Sequence, residues 1–373
     1  MKNKIHKYDF LIVGAGLIGS LAAFALYKNN FKVLVIDKEK NISFDKRTLA
    51  VNANSKDFLG NLGIWDGLKS KPQPINKIII KDYINALPLI FENTLESMGN
   101  VILNYELLKI VRDKLEDIKI LQTNTDINLD NLLPNKTTVI NNKNYSFKKI
   151  VISAGKNNNN LNLKHKSIEF NRGHNSYVGF FKHDKNHKNN AYEIFNTDGP
   201  LAVLPAPSKN KRRSTFIYST KNKISFSQIQ LLIKKKFKKS HGQLYFEKSI
   251  FKFSITPHLR KNNQNFIYIG DSLKSIHPVA GQGWNLGIKD IQKLIKLSKV
   301  HSLDDSSLNS IYYSNRIIES TLYLSFTSLL NFLYENKNPI NIRFIKSGYS
   351  TLRNFKVIRD LFIKQAMGRT NLI

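Results

Sequence analysis

The stretch YDFLIVGAGLIG, residues 8–19, decides the fold. An apolar run typical of a buried strand ends at Val13, and the three glycines after it have the spacing G-x-G-x-x-G. A helix rich in small residues comes next, and a second apolar run, residues 33–36, ends in Asp37. This order is the βαβ fingerprint of a dinucleotide-binding fold. It predicts an α/β chain with a nucleotide site at the first glycine turn.

Each residue of the fingerprint has its own physical task. Gly14 permits the tight turn, Gly16 lets the backbone approach a pyrophosphate, and Gly19 lets the helix pack closely on the strand. Asp37 can bind the hydroxyl pair of a ribose, which favours FAD or NAD. The alternative is a structural βαβ unit with glycines by accident. Because the acid accompanies the glycines in the required context, we expect a bound cofactor.

A second glycine-containing segment, GDSLKSIHPVAGQGWNLGIKD, covers residues 270–290. The apolar residues 266–269 before it predict a strand that brings Asp271 to its carboxyl end. Asp271 can accept hydrogen bonds from sugar-like hydroxyls. Gly281 and Gly283 then precede a helix, whose free N–H groups can face an electron-rich carbonyl or an anion. This segment is suited to the other half of a large polar cofactor.

The composition limits the class of protein. The 373 residues, 41% of them hydrophobic, can form a large core, and we expect two closely joined domains. The absence of cysteine excludes disulfide scaffolds, thiolate metal sites and cysteine catalysis. No clustered histidine and carboxylate pattern predicts a metal. The apolar residues 10–26 contain three glycines, which argues against a membrane span or signal peptide.

The formal net charge of +31 arises from 58 Lys and Arg against 27 Asp and Glu. The lysines are spread along the chain, as the codons of an AT-rich genome would give. Attraction to an anionic membrane surface is the functional alternative. We expect no nucleic-acid partner, because no basic run is interleaved with stacking aromatics in a recognisable module.

A third segment, FDKRTLAV at residues 44–51, precedes a helical stretch that ends in LGNLGIW at residues 59–65. With the two glycine segments, it makes the chain resemble the ubiquinone-biosynthesis hydroxylases. These are FAD-dependent aromatic monooxygenases with the p-hydroxybenzoate-hydroxylase-like fold. The resemblance spans nearly the whole chain. Residues 195–205, FNTDGPLAVLP, are similar to the ubiquinone branch of the family rather than to its soluble aromatic hydroxylases.

The resemblance implies a Rossmann-like FAD-binding domain interleaved with a β-sheet substrate domain, and a helical C-terminal region. The FAD-binding domain would comprise residues 1–71, 104–165 and 260–300, the substrate domain residues 72–103 and 166–259, and the C-terminal region residues 301–373. The chain pattern agrees independently, because short strand-like pieces bounded by turn residues recur in the substrate part. These pieces are residues 78–80, 177–181, 201–204, 215–218 and 251–253.

The resemblance also assigns cofactor-binding residues, but no catalytic residue. They are Gly14, Gly16, Gly19, Asp37, Arg47, Asp271, Pro278, Gly281, Gln282, Gly283 and Asn285. Arg47 would lie near the ribityl chain and the flavin ring; the structural alternative is a surface ion pair with Asp45. Asp271 would bind the ribityl hydroxyls; the alternative is a helix cap. His277 lies within the second glycine-containing segment, and the sequence does not distinguish a structural role for it from a chemical one.

The activity implied by the resemblance is hydroxylation of the aromatic ring of a polyprenylated phenol in ubiquinone biosynthesis. FAD would be the bound cofactor, NAD(P)H a transient co-substrate and O2 the oxidant. An apolar wall around Leu201, Leu204 and Pro205 would exclude water from the substrate pocket. The chain would be cytoplasmic and peripheral on the inner membrane. The membrane surface and other ubiquinone-biosynthesis proteins would be its partners.

Two departures from the family pattern leave alternatives open. Members usually carry Ala-Asp-Gly after the strand that ends near Ile152, whereas this chain has Ser153-Ala154-Gly155. Tyr105 stands where an arginine is common. Both departures concern NAD(P)H use more than FAD binding. The alternatives are a hydroxylase of a soluble aromatic acid and a catalytically weak flavin-binding accessory subunit of a membrane-associated biosynthetic complex.

Overall fold

The computed structural model describes residues 4–42, 47–125, 127–129, 132–155, 167–170, 174–277 and 281–369. The strands in these ranges are β1 (Ile5–Val13), β2 (Val33–Ile36), β3 (Thr48–Asn52), β4 (Gln73–Ile75), β5 (Lys77–Lys81), β6 (Leu89–Glu92), β7 (Gly99–Leu103), β8 (Leu121–Gln122), β9 (Thr137–Ile140), β10 (Lys143–Ile152), β11 (Ser167–Glu169), β12 (His174–His183), β13 (Asn190–Asn196), β14 (Gly199–Pro205), β15 (Arg213–Thr220), β16 (Leu244–Ile255), β17 (His258–Arg260), β18 (Phe266–Tyr268) and β19 (Lys274–Ser275). The helices are α1 (Leu17–Lys28), α2 (Ala53–Asn61), α3 (Asn104–Asp117), α4 (Phe226–His241), α5 (Gln282–Val300), α6 (Ser307–Glu335), α7 (Pro339–Asn354) and α8 (Lys356–Ala366).

A parallel sheet with the strand order β18-β10-β1-β2-β8 lies at the centre of the molecule, and β9 pairs antiparallel with β10. The first βαβ unit forms as predicted: residues 10–13 of β1 pair in parallel with residues 33–36 of β2. Both faces of the sheet are covered. Phe10 and Ile12 pack with α1, α3 and α5, whereas Leu11 packs on the opposite side. Burial on two faces explains why these strands are continuous apolar runs.

A second sheet of seven strands has the order β16-β12-β15-β14-β13-β5-β6. Its neighbours are antiparallel except β5 and β13, which are parallel. All five predicted strand pieces lie in it, in β5, β12, β14, β15 and β16. The apolar stripe of α4 covers one face of this sheet through Ile229, Ile233 and Phe237. The α/β fold class is therefore confirmed, while the exact domain boundaries stay a prediction.

The chain ends in three helices, α6 to α8, that pack against both sheets. Tyr312 on α6 is fully buried, and its hydroxyl donates a hydrogen bond of 3.2 Å to the carbonyl oxygen of Tyr268 in the parallel sheet. Tyr334, near the end of the same helix, stacks on Phe195 of the seven-stranded sheet with a ring separation of 4.4 Å. The helix α6 thus spans both sheets. None of the helices in the described ranges has the length and apolar character that crossing a membrane requires.

Candidate functional site

A cleft of about 660 Å³ extends from the carboxyl edge of the parallel sheet to the seven-stranded sheet. Gly16 and Asp37 line it near β1 and β2. Val178, Ile217 and Phe253 line it on the seven-stranded sheet. Between these ends lie residues from every predicted cofactor segment, namely Arg47, Ser153, Gly155, Asp271, Gly281 and Gly283. The fold thus brings residues from distant parts of the sequence, between Gly16 and Gly283, to one elongated cavity.

The first glycine turn is shaped by its neighbours. Gly14 has φ of +99°, and a Cβ on it would lie 2.7 Å from the carbonyl oxygen of Ser153. A Cβ on Gly19 would lie only 2.0 Å from the carbonyl oxygen of Gly14. A Cβ on Gly16 would meet nothing within 4 Å. Gly14 and Gly19 are therefore required by packing, whereas Gly16 leaves its backbone open toward the cleft, as a pyrophosphate requires.

Asp37 lies beside this turn and is held in place by its partners. Its Oδ2 accepts hydrogen bonds from the backbone N–H of Ala15 at 2.6 Å and from Nη2 of Arg112 at 3.0 Å. Its Oδ1 accepts one from the backbone N–H of Glu39 at 2.9 Å. Since Asp37 also lines the cleft, its carboxylate is fixed at the position expected for a ribose hydroxyl pair.

The sequence interpretation missed Arg112. This side chain is 4% exposed, and its Nε donates a hydrogen bond of 3.1 Å to the carbonyl oxygen of Ala15. It therefore joins the glycine turn to Asp37. A signal was present in the sequence, because Arg112 lies on the face of α3 that Leu107, Val111 and Leu115 make apolar. A charged residue on such a face is buried only when it is paired.

The second glycine segment also reaches the cleft. Gly270 has φ of +58° and begins a short 3-10 turn that is separated from β18 by one residue, Ile269. The next residue, Asp271, is exposed and lines the cleft. Gly270 and Gly287 lie against Ile18 of α1, so that a Cβ on Gly287 would come within 2.7 Å of its Cδ1 atom. Close packing of α1 on this turn therefore places Asp271 in the same cleft as the first glycine turn.

A buried ionic network around Asp290 holds this turn in place. Asp290, which is 0% exposed, accepts hydrogen bonds from the backbone N–H of Gly270 at 2.9 Å, from Nζ of Lys274 at 2.6 Å and from Nε of Arg316 at 2.7 Å. Arg316 also donates to Glu319 at 2.5 Å. Burial lowers the pKa of Lys274 to about 8, although the nearby Asp290 carboxylate opposes this. The network joins α5 and α6 to the Asp271 turn.

The N-terminus of α5 forms another part of the wall. Gly281 has φ of +61° as the residue before the helix, and Gly283 and Trp284 line the cleft. Gln282 is partly exposed in the first turn and does not line the cleft. The positive end of the helix dipole lies at the cleft and favours negative charge there.

The side chain of Asn285 makes hydrogen bonds to the backbone of β3. Its Oδ1 accepts a hydrogen bond from the N–H of Asn52 at 3.1 Å, and its Nδ2 donates to the carbonyl oxygen of Ala50 at 2.9 Å. These bonds join α5 to β3. Pro278, also predicted to bind the cofactor, lies outside the described residues. The assignments of Gln282, Asn285 and Pro278 to the cofactor stay predictions.

Arg47 lies between the two sheets. Its guanidinium carbon is 5.9 Å from the centre of the Phe253 ring, within the range of a cation–π contact. Both residues line the cleft. The alternative partner, Asp45, lies outside the described residues. Arg47 thus brings positive charge to the part of the cleft that faces the seven-stranded sheet.

The predicted apolar wall does not line the described cleft. Leu201 packs on the opposite face of its sheet, against α4, because β14 places it beside Tyr218. Leu204 packs in a small cluster with Val101, and Pro205 lies opposite Ser214 of β15. Since side chains of a strand alternate between faces, Ile217 of β15 lies on the face opposite to Leu201 and Tyr218, and the cleft is lined on this sheet by Val178, Ile217 and Phe253.

His277, for which two roles were open, forms part of a buried chain of polar groups. Its Nε2 lies 2.9 Å from Nδ1 of His174, and Nε2 of His174 lies 3.3 Å from a carboxylate oxygen of Glu335. Glu335 pairs in turn with Lys221 at 2.6 Å. Burial lowers the pKa of His174, although Glu335 opposes this. These contacts join the second glycine segment to the end of α6.

The comparisons with known proteins agree with this geometry. The FAD binding domain family matches residues 7–142, a range that contains the glycine turn, Asp37 and Arg112. The ubiquinone hydroxylase UbiL of Rhodospirillum rubrum is 24% identical over 98% of this chain and 90% of its own length. The 3-demethoxyubiquinol 3-hydroxylase of Escherichia coli is 23% identical over 96% of this chain and 98% of its own length.

Among solved structures, the p-nitrophenol 4-monooxygenase PnpA of Pseudomonas putida has the same fold. It superposes with a TM-score of 0.75 at 13% identity, covering 97% of this chain and 99% of its own. A likeness at this identity shows the fold. Together with the FAD binding domain match and the hydroxylase relatives, it indicates a flavin-dependent aromatic monooxygenase. FAD is its cofactor, as predicted, and NAD(P)H is typical for such proteins. The chain is similar over nearly its whole length to ubiquinone-biosynthesis hydroxylases, so the resemblance found in the sequence is confirmed.

Proposed function

We propose that this protein hydroxylates the aromatic ring of a polyprenylated phenol on the route to ubiquinone, using NAD(P)H and O2. The observation that carries the proposal is the single cleft that joins a nucleotide site to the seven-stranded sheet. Its nucleotide end is polar, with Gly16 and Asp37, and its far end is apolar, with Val178, Ile217 and Phe253. A phenol ring fits the apolar end, because aromatic substrates are bound mainly by apolar surface.

We assign the residues of the cleft to successive parts of FAD. The open backbone of Gly16 at the start of α1 would hold the pyrophosphate, and Asp37 the adenosine ribose. Asp271 would accept hydrogen bonds from the ribityl hydroxyls. The N-terminus of α5 near Gly283 would stabilise negative charge on the flavin ring.

When bound, FAD would supply the redox chemistry that couples NAD(P)H oxidation to O2 reduction, in which one oxygen atom enters the aromatic ring and the other leaves as water. The protein contributes binding, orientation and exclusion of water. Val178, Ile217 and Phe253 form an apolar boundary at the end of the cleft where the substrate ring would lie. Removing water from such a site strengthens electrostatic interactions and suppresses side reactions.

We also propose a peripheral position on the cytoplasmic side of the inner membrane. A polyprenyl tail partitions into a bilayer, so the enzyme has to meet its substrate at the membrane surface. The net charge of +31 supports attraction to anionic lipid. Other ubiquinone-biosynthesis proteins are proposed partners at that surface, and O2 reaches the site by diffusion.

The test is turnover by the purified, FAD-loaded protein. NADH or NADPH is supplied with a detergent-dispersed prenylated phenol or, in parallel, with a soluble hydroxybenzoate, and mass spectrometry follows the gain of one oxygen atom. We expect oxygenation of the prenylated phenol coupled to NAD(P)H oxidation. Product from the hydroxybenzoate alone would support the soluble-acid alternative. Flavin binding with neither product would support the accessory-subunit alternative and contradict our proposal.

Two variants sharpen this test. Asp271→Ala removes an exposed carboxylate of the cleft, so we expect it to fold but to retain little FAD and give little product. Asp113→Asn changes an exposed acid on the outer face of α3 and serves as the matched control. Fully yellow, fully active Asp271→Ala protein would show that the second glycine segment does not hold the flavin.

A further inference from the structure

The C-terminal helices expose an unusual amount of apolar surface. We use the term α6–α8 face for the large apolar residues of these helices and their connections that are each more than 40% exposed: Ile318, Leu322, Phe326, Leu329, Phe332, Ile340, Phe344, Phe355, Val357, Leu361 and Phe362. Isolated exposed apolar residues are common on protein surfaces. A concentration of this kind indicates a surface that another molecule or a membrane covers.

The stripe on α6 is regular. Ile318, Leu322, Phe326 and Leu329 follow one another at spacings of four, four and three residues, and each is about half exposed. Such spacing places them on one side of the helix. The core contacts of α6 lie elsewhere, at residues such as Tyr312. The stripe is therefore a second apolar side, which the packing among the described residues leaves about half exposed.

The exposed residues of α8 lie next to this stripe. The rings of Phe326 and Phe362 are 6.2 Å apart. Nε2 of Gln365 on α8 donates a hydrogen bond of 2.7 Å to the hydroxyl of Tyr323 on α6. The two helices are thus fixed side by side, and their exposed apolar residues are presented together.

Positive charge accompanies the apolar residues. The helices α7 and α8 contain six basic residues and one acidic residue, Asp360. The basic residues are Arg343, Lys346, Arg353, Lys356, Arg359 and Lys364. Amphipathic helices with basic polar sides and exposed Phe and Leu bind at the interface of anionic bilayers. Each basic residue near such a surface adds to the attraction.

We propose that the α6–α8 face is the surface through which this protein binds a bilayer that contains anionic phospholipid. This inference rests on the proposed function, because a polyprenylated substrate would be supplied from the bilayer. The same helix α6 joins the face to the site, because Arg316 and Glu319 extend from it into the network that holds Asp290. Tyr334 of α6 also stacks on Phe195 of the seven-stranded sheet. The bilayer would therefore lie beside the sheet that closes the cleft.

The experiment is vesicle flotation of the FAD-loaded full-length protein. Vesicles of phosphatidylcholine alone are compared with vesicles that also contain phosphatidylglycerol, at low and high salt. We expect flotation with the anionic vesicles, weakened by salt, and little flotation with phosphatidylcholine alone. Wild-type protein that stays with neither vesicle, or binds both equally at all salt concentrations, would overturn the proposal.

Two double variants locate the surface. Phe344→Ser with Val357→Ser removes two strongly exposed apolar side chains, and Lys346→Glu with Lys356→Glu reverses two exposed charges. Each should lower vesicle binding by about tenfold or more. The matched control for the charge reversal is Lys235→Glu with Lys239→Glu, two exposed lysines of α4, and Leu231→Ser on the same helix is the control for loss of an exposed apolar side chain. Equal loss in the control would mean that overall charge, and not this face, drives binding, which contradicts the proposal.

Two further measurements distinguish membrane binding from dimer formation, and the membrane proposal from the proposed function. Sedimentation tests whether the face joins two copies of the chain: a wild-type dimer that the Phe344→Ser and Val357→Ser changes convert to monomer, with flotation unchanged, would overturn the membrane assignment. Turnover of a detergent-dispersed prenylated phenol tests the proposed function, because detergent removes the need for a bilayer. Variants that lose flotation but keep this turnover support both proposals. Flotation without turnover by the wild type would contradict the proposed function alone.

Discussion

The buried carboxylate of Asp290 accepts a hydrogen bond of 2.9 Å from the backbone N–H of Gly270, twenty residues earlier in the chain. Gly270 begins the turn that presents Asp271 to the cleft. Lys274 and Arg316 pair with the same carboxylate from β19 and α6. The position of Asp271, a proposed FAD-binding residue, therefore depends on the buried carboxylate of Asp290, which does not line the cleft.

Replacing Asp290 by alanine should strongly destabilise the protein. It leaves Lys274 and Arg316 as buried cations without their main partner, which costs about 3–5 kcal/mol of unfolding free energy. Urea denaturation of the variant measures the loss. Asp113→Asn, an exposed acid on α3, should change the same quantity by no more than about 0.5 kcal/mol. An Asp290→Ala protein as stable as the wild type would show that the network contributes little.

The glycines of the first turn should respond differently to the same change. Gly19→Ala places a Cβ 2.0 Å from the carbonyl oxygen of Gly14, so we expect loss of folding or a large drop in melting temperature. Gly16→Ala meets nothing within 4 Å in the protein and should leave the melting temperature of the flavin-free chain nearly unchanged. Its Cβ points into the space proposed for the pyrophosphate, so the ratio of bound flavin to protein should fall. Equal flavin content in Gly16→Ala and wild type would contradict this placement.

Arg112→Lys tests the tie between the glycine turn and Asp37. Lysine keeps the charge but cannot reproduce the planar fork that reaches both Ala15 and Asp37. We expect FAD affinity to fall by about tenfold, as loss of one charge-assisted hydrogen bond would give. Fluorescence titration of the apoprotein with FAD measures this. Lys114→Arg, on the same helix, is the matched control and should bind FAD like the wild type.

A pH dependence should arise from histidines on the α4 side of the seven-stranded sheet. Burial lowers the pKa of His241 to about 3 and that of His187 to about 4, and nearby His183, Lys81 and Lys211 act in the same direction. The unfolded chain binds protons near the ordinary histidine pKa of about 6.5, whereas the folded chain does not, so stability is complete above that pH and falls as the pH decreases.

Between pH 6.5 and 5, each of these two histidines should remove about 1–2 kcal/mol of unfolding free energy. Denaturant unfolding at a series of pH values measures the slope. The ring of His241 lies among Phe237, Phe181 and Tyr192, so His241→Phe should fold and show a shallower slope. His301→Gln, near the protein surface, should keep the wild-type slope. A wild-type curve that is flat over this range would contradict the burial argument.

The sequence predicted the parts of the site that depend on local geometry. Gly14, Gly19 and Gly281 occupy positions where a close approach or a positive φ excludes other residues, so their spacing is informative without a structure. It could not show that Asn285 binds Ala50 and Asn52, because these residues lie 235 and 233 positions away. The sequence also could not show which face of the sheet Leu201 occupies, because both faces of β14 are buried and its apolar pattern does not alternate.

By itself, then, the sequence determined the class of fold and the nucleotide site, because short-range constraints on glycine, strand and helix act between neighbouring residues. The choice of FAD came from the resemblance to known hydroxylases. Only the tertiary structure decided which charged groups are paired. Lys274, Asp290 and Arg316 look like ordinary surface charges in the chain, and the pattern of α3 indicates burial of Arg112 without naming its partner. Folding buries all four and pairs them over long distances. Burial makes such pairing necessary, because a charge removed from water is tolerated only beside a partner, and the partner is chosen by the packing of α3, α5 and α6.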